Sequence, residues 1–343
     1  MGKVVMQKKF NTTFNSEGWQ GFYIAGTLFS LFGGAISTTF SYLFVGDFAS
    51  AIGIKVGLSV IKILITTVFY AIAYTKIILL FVSTTTLEGK KVSTTLTFSS
   101  FFSVVISNII ICIATFGIYT PWAYKSIIDK LADSIESEEG GRFAFSSQAH
   151  TLCSFLIVSI ILIFFTFSLS ILSFVLMGRF SARFVWPLAL IGMVMFVAFL
   201  ASICAMEVFM INWFINISYI LPDKKTTYTL KINNVSAILF VLGQIMLLAI
   251  TFGFYSGMFV LNIYEFFVNR IEEKEDEVPT GRLFFVKPLD KGALFLFSQL
   301  LLSVITAGLY VPFAYVQYAR FFINNTYLQT KGECNAESSK SDK

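Results

Sequence analysis

Five polar side chains stand inside otherwise apolar runs of this sequence: Lys62, Lys76, Asn108, Glu207 and Gln244. A charge or an amide inside a hydrocarbon-embedded segment is costly, so each is a functional hypothesis by default. Glu207, in CAMEVFMINWF, is followed by Asn212 and Asn216 on nearby turns. It is the best single candidate for an ion- or proton-linked group, with a helix-end carboxylate paired to a lysine or a backbone donor as the alternative. Lys62 and Lys76 are fourteen residues apart, about 40° around a helix of ~3.6 residues per turn, so they share a face. They either line a polar cavity or snorkel to the nearer surface. Asn108 in VISNIII and Gln244 in VLGQIMLL suit interhelical hydrogen bonding worth ~1 kcal/mol or less.

Other chemistry is missing from the sequence. His150 is the one histidine and cannot build a metal cluster. Of four cysteines, Cys112, Cys153 and Cys204 lie in apolar runs and Cys334 in a polar tail, with no Cys-x-x-Cys spacing. No nucleophile elbow, phosphate-binding loop, zinc-protease motif or dinucleotide fingerprint occurs. The expectation is no catalytic residue, no metal, no cofactor and no enzyme.

The elements that position these groups follow from composition. The chain has 343 residues, 56% hydrophobic and 13% charged, with 40 phenylalanines. A soluble domain is nearer ~45–50% apolar and ~25% charged, so the solvent for most of this chain reads as lipid. The net charge of +5 is scattered near segment ends, which suits lipid headgroups and not nucleic acid. The apolar runs predict seven spans, roughly 22–46, 56–83, 100–124, 151–177, 184–215, 235–268 and 292–323. Their lack of alternation predicts helices and excludes a membrane β-barrel. The expected fold is therefore an all-α polytopic transmembrane bundle with short polar linkers. Two related halves, 1–145 and 181–328, are joined by a connecting span at 146–180, and 329–343 forms a disordered tail. The polar first twenty residues do not resemble a signal peptide. Lysine and arginine counts favour a cytoplasmic N-terminus slightly.

One phrase recurs. TTVFYAIAYTK (66–76), TFGIYTPWAYK (115–125), TFGFYSGMFVL (251–261) and TAGLYVPFAYV (306–316) share Thr-x-x-x-Tyr, and Thr38/Tyr42 make a fainter fifth copy. Asn108 and Gln244 both stand seven residues before the threonine. The i, i+4 spacing places Thr115 and Tyr119, Thr251 and Tyr255, and Thr306 and Tyr310 on one helix face. Gly117, Gly253 and Gly308 read as permitting close helix approach, and Pro121 and Pro312 as kinking or ending the apolar segment. Trp122 fits an interfacial aromatic belt. Packing and anchoring is the first reading of these motifs, and a substrate path lined by kinked helices the second.

TFGIYTPWAYK followed by GGRFAF, with TAGLYVPFAYVQYARFFINNT later and KFNTTFNSEGWQGFY at the start, resembles the DUF898 family of YjgN-like bacterial inner-membrane proteins. The resemblance implies a multi-pass location in a bacterial inner membrane and no assigned activity. The expected function is a structural, assembly or lipid-associated role. Membrane lipids would be its partners, with a membrane protein or a second copy as a further one. A transporter of a small solute, ion or lipid, with a path between the halves, is the alternative.

Overall fold

The computed structural model describes residues 6–7, 10–44, 48–87, 89–115, 117–138, 140–177, 182–220 and 225–330. After β1 (Met6–Gln7) the chain writes one pattern five times: strand, helix, helix, strand. The first unit is β2 (Phe10–Thr12), α1 (Gln20–Phe44), α2 (Phe48–Thr84) and β3 (Thr85–Leu87). The second is β4 (Lys90–Thr94), α3 (Phe98–Ala114), α4 (Thr120–Ala132) and β5 (Ile135–Ser137). The third is β6 (Arg142–Phe145), α5 (Ala149–Met177), α6 (Ala182–Phe214) and β7 (Ile217–Ile220). The fourth is β8 (Lys225–Leu230), α7 (Asn234–Ile250), α8 (Ser256–Val268) and β9 (Ile271–Glu275). The fifth is β10 (Val278–Phe285), α9 (Leu289–Ile305), α10 (Val311–Asn324) and β11 (Thr326–Thr330).

The strands form one antiparallel sheet of eleven, ordered β1-β11-β10-β9-β8-β7-β6-β5-β4-β3-β2. Its two outer strands are pieces of the same N-terminal segment, because β1 pairs with β11 through Met6↔Gln329 and β2 pairs with β3 through Phe10↔Leu87. The sheet therefore curls back on itself, and its two edge strands are short pieces of one segment, which limits the edge open to other strands. On one sheet face Tyr228, Ile271, Leu283, Phe285 and Leu328 are buried against Leu261 and Val268 of α8 and Leu296 of α9. Glu273 is buried on that face as well, and its carboxylate accepts from the Tyr228 hydroxyl at 2.9 Å. The opposite face carries Glu272, Lys274, Arg282 and Gln329, as the period of two requires.

Every unit begins and ends in the sheet, so every helix–helix turn lies at the end away from it. Polar side chains start the helices locally. Thr97 caps α3 by accepting from the Ser100 amide, and Asn233 caps α7 by accepting from the Val235 and Ser236 amides.

The all-α, seven-span expectation is overturned. Three of its spans fold back on themselves: 100–124 is the α3–α4 hairpin, 235–268 is α7–α8 and 292–323 is α9–α10. Among the described residues, three helical stretches are long and apolar enough to cross a membrane, Gly57–Thr84, Ala149–Leu176 and Val185–Phe214. The polar linkers, read as loops, are the strands. Each is too short to fold alone, but four hairpins and the N- and C-terminal strands share one ladder, a long-range pairing that no local pattern announces. An odd span count would also put the termini on opposite sides, whereas β1 and β11 are neighbours. The boundary drawn at 180/181 falls between α5 and α6, which pack on each other through Phe155 and Phe209 stacked at 3.8 Å. The side chains of Thr38 and Tyr42 and residues 331–343 lie outside what is described.

Candidate functional site

The recurrent phrase is a turn between antiparallel helices. At its centre Gly117, Gly253 and Gly308 have φ of 85°, 88° and 91°, the left-handed region where a Cβ is penalised. A Cβ on Gly253 would meet nothing within 4 Å, while one on Gly308 would meet the Thr27 methyl of α1 at 3.6 Å, an ordinary contact. Thr66 to Tyr70 has Val68 at the glycine position, and there α2 runs on without a turn.

Each turn satisfies its own backbone. The Thr251 hydroxyl donates to the Leu247 carbonyl at 2.8 Å and accepts from the Tyr255 amide at 3.2 Å. Thr115 does the same with Ile111 and Tyr119, at 2.8 and 3.2 Å, and Thr306 with Leu302 and Tyr310, at 2.8 and 3.0 Å. The glycine amides reach back five residues, Gly117 to Cys112, Gly253 to Leu248 and Gly308 to Ser303, at 2.7, 3.0 and 2.8 Å. From Thr251 to Ser256, and from Thr306 to Val311, every amide has an acceptor. Pro121 and Pro312 then stand in the first turn of the following helix, where a missing N–H costs nothing. They open helices and do not kink them.

The turns are apolar outside. Phe252 is 92% exposed, Phe254 77%, and Ile118, Ile250 and Ile305 are 68–70%. No Asp, Glu, Lys or Arg occurs in 98–124, 245–264 or 292–319. A turn with paired amides and an uncharged apolar skin can rest in hydrocarbon, where an unpaired backbone group costs several kcal/mol.

Of the polar positions singled out by sequence, two sit under these turns and three do not. Gln244 Oε1 accepts from the Tyr255 hydroxyl at 2.9 Å and from Asn262 at 3.0 Å. Asn262 also donates to the Tyr255 oxygen at 2.6 Å and accepts from Lys287, which pairs with Glu265 at 3.0 Å. Asn108 is buried and donates to the Val104 carbonyl at 2.8 Å and to Ser126 at 3.3 Å. Beside it α3 and α4 frame an open groove of about 490 Å³, lined by Ile109, Cys112, Ile113, Ala123 and Ile127. Lys76 lies at the sheet end of α2, donating to the Gly18 carbonyl at 3.1 Å and standing 4.6 Å from the Phe22 ring. Lys62 is 22 residues from the end of α2, about 33 Å at 1.5 Å per residue, so it stands about 21 Å further along the helix than Lys76. Glu207 is on an exposed face of α6. Its neighbours Asn212 and Asn216 instead line a polar pocket of about 400 Å³ with Ser146, Ser147 and Gln148. These five positions do not share one cavity, and among the described residues no cluster of His, Cys, Asp or Glu could hold a metal.

Sequence reading missed Gln299, which accepts from the Tyr310 hydroxyl at 2.9 Å. The signal was present, since Gln299 stands seven residues before Thr306 as Gln244 does before Thr251. It also missed a bond that recurs between units. Lys125 donates to the Phe145 carbonyl at 3.3 Å, joining the second unit to the third. Arg320 donates to the Phe14 carbonyl, and to that of Thr13 at 3.1 Å, joining the fifth to the first.

These features define a class: a chain of strand–helix–helix–strand units on a shared sheet, with apolar helices compatible with a membrane. Residues 7–151, the first two units and the start of the third, match the family model DUF898, a bacterial protein of unknown function. No curated protein and no solved structure matches the chain.

Proposed function

We propose that this is an integral membrane protein of the bacterial inner membrane, acting without catalysis as a lipid-embedded scaffold. Its sheet lies at one surface and its five helical hairpins stand in the bilayer. The observation that carries this reading is the contrast between the hairpins. In the third unit α5 and α6 have 29 and 33 residues, enough for a ~30 Å core, and Arg179 and Arg183 flank their junction. In the second, fourth and fifth units the first helix has 17 residues and the second 13 or 14. At 1.5 Å per residue these are about 25 and 20 Å long. Their uncharged, self-bonded turns suit an end inside the hydrocarbon, so three hairpins enter and return by the same side. Such a body presents short helices to lipid beside the three full-length stretches, an arrangement that thins or organises the adjacent bilayer.

The direct test is a scan of single cysteines in vesicles with a membrane-impermeant maleimide. Cysteine at Phe254 should stay unreactive from both sides, while cysteine at Lys274 on the sheet reacts from one. Reaction at position 254 from the side opposite Lys274 would show that the short hairpins cross, and the reading would fall.

A further inference from the structure

The α3–α4 hairpin lacks one bond that its counterparts make. In α7–α8 and α9–α10 the tyrosine after the turn donates to a glutamine, Tyr255 to Gln244 and Tyr310 to Gln299, both at 2.9 Å. At the matching place α3 has Asn108, one methylene shorter, and the Tyr119 ring stacks on Trp122 at 6.1 Å. The Asn108 amide nitrogen is used twice, toward Val104 and Ser126. Among the described residues nothing donates to its Oδ1, although the residue is only 6% exposed. The space left between the helices is the groove of about 490 Å³.

We propose that this groove binds a single-chain, hydroxyl-bearing amphiphile of the long-chain alcohol type, taken from the bilayer. Its hydroxyl donates to Asn108 Oδ1 in place of the tyrosine hydroxyl used elsewhere. Three features select that chemistry. An amide oxygen that opens on an apolar groove within lipid has no donor unless the occupant of the groove brings one. The walls carry no charge, so an ionised headgroup would be stranded there. The volume falls among small-molecule sites, ~300–1,000 Å³. The source of the ligand follows from the surroundings: Ile110 and Ile118, 60% and 68% exposed, belong to the apolar surface assigned to lipid. The site rests on the bilayer reading.

The test uses the full chain in phosphatidylglycerol–phosphatidylcholine vesicles with a diazirine-bearing hexadecanol. After irradiation, adducts are mapped by mass spectrometry. Adducts should concentrate on residues 108–127 at tenfold or more over the exposed faces of α5 and α6. Excess hexadecanol should remove them and hexadecane should not. Asn108→Gln lengthens the side chain so that it meets Tyr119, as in the other hairpins, and should lower labelling at the site about tenfold while leaving α5 and α6 unchanged. Ile113→Trp should do the same by filling the space. Labelling spread evenly over the hairpins, or displaced equally by hexadecane, or indifferent to both substitutions, would overturn the site. The bilayer reading fails separately, by an absence of label on α5 and α6.

Discussion

Thr251 serves two partners with one oxygen. Its hydroxyl gives a proton to Leu247 and receives the Tyr255 amide, the donor that the helix end would otherwise leave bare. Thr166 makes only the first of these bonds, back to Leu162 at 2.8 Å. Thr251→Val keeps the shape and orphans an amide, so it should cost ~1–3 kcal/mol. Thr166→Val removes a back-bond and strands no amide, so it should cost less than ~1 kcal/mol. Unfolding of the two variants in mixed micelles by SDS titration compares them, and equal losses would mean the turn does not depend on that amide. The recurrence of the phrase makes the threonine and tyrosine legible as a pair from sequence. Their geometry is not legible there, because i, i+4 spacing describes one face of a continuous helix equally well. The glycine between them decides. With Gly253 the chain enters φ of 88° and reverses, and with Val68 it stays helical.

Between elements, α8 and α9 approach closely at Gly257. A Cβ added to Gly257 would overlap the carbonyl of Ala293, whereas one on Gly243 of α7 would meet nothing within 4 Å. The absent side chain lets two backbones meet, which gains dispersion contact that no larger residue permits here. Gly257→Ala should therefore push α8 from α9 and cost ~1–3 kcal/mol as overpacking. Gly243→Ala should be neutral or stabilise by up to ~1 kcal/mol through helix propensity. The same SDS titration distinguishes them, and a neutral Gly257→Ala would mean the helices can separate freely. The apolar runs were readable from the sequence, and so were the boundaries of α5 and α6 within a few residues, but not the turns that split three of the runs into two helices each. The strands were not. RFAF in β6 and KTTYTL in β8 alternate as strands do, but each is only four or six residues long. What makes them strands is the neighbour from another unit, as in Phe143↔Tyr219, whose rings lie 4.8 Å apart.

For the molecule as a whole, the seam between the fifth and first units decides whether the sheet is a closed circle of hydrogen bonds. There Arg320 holds the carbonyls of Thr13 and Phe14, Asn324 accepts the Thr12 amide at 3.4 Å, and the Phe14 ring meets Tyr315 edge-on at 6.1 Å. The contact matches the one Lys125 makes to Phe145 inside the chain, so the closing joint is built like an internal joint. Arg320→Met keeps the apolar stem and removes the donors, leaving two carbonyls with weakened partners just after β2 ends. Amide exchange should then rise at Thr85 to Leu87 of β3 and at Leu328 and Gln329 of β11, the strands that pair with the N-terminal segment. Exchange at Ser218 and Tyr219 of β7, four strands from either edge of the seam, should not change. Local opening of this kind requires only that the seam be less stable than the ladder around it. Arg320→Lys restores one donor and should return part of the protection. Exchange rising together in β3, β7 and β11 would instead mean that the sheet unfolds as one unit, with the N-terminal segment as the part on which every other strand depends.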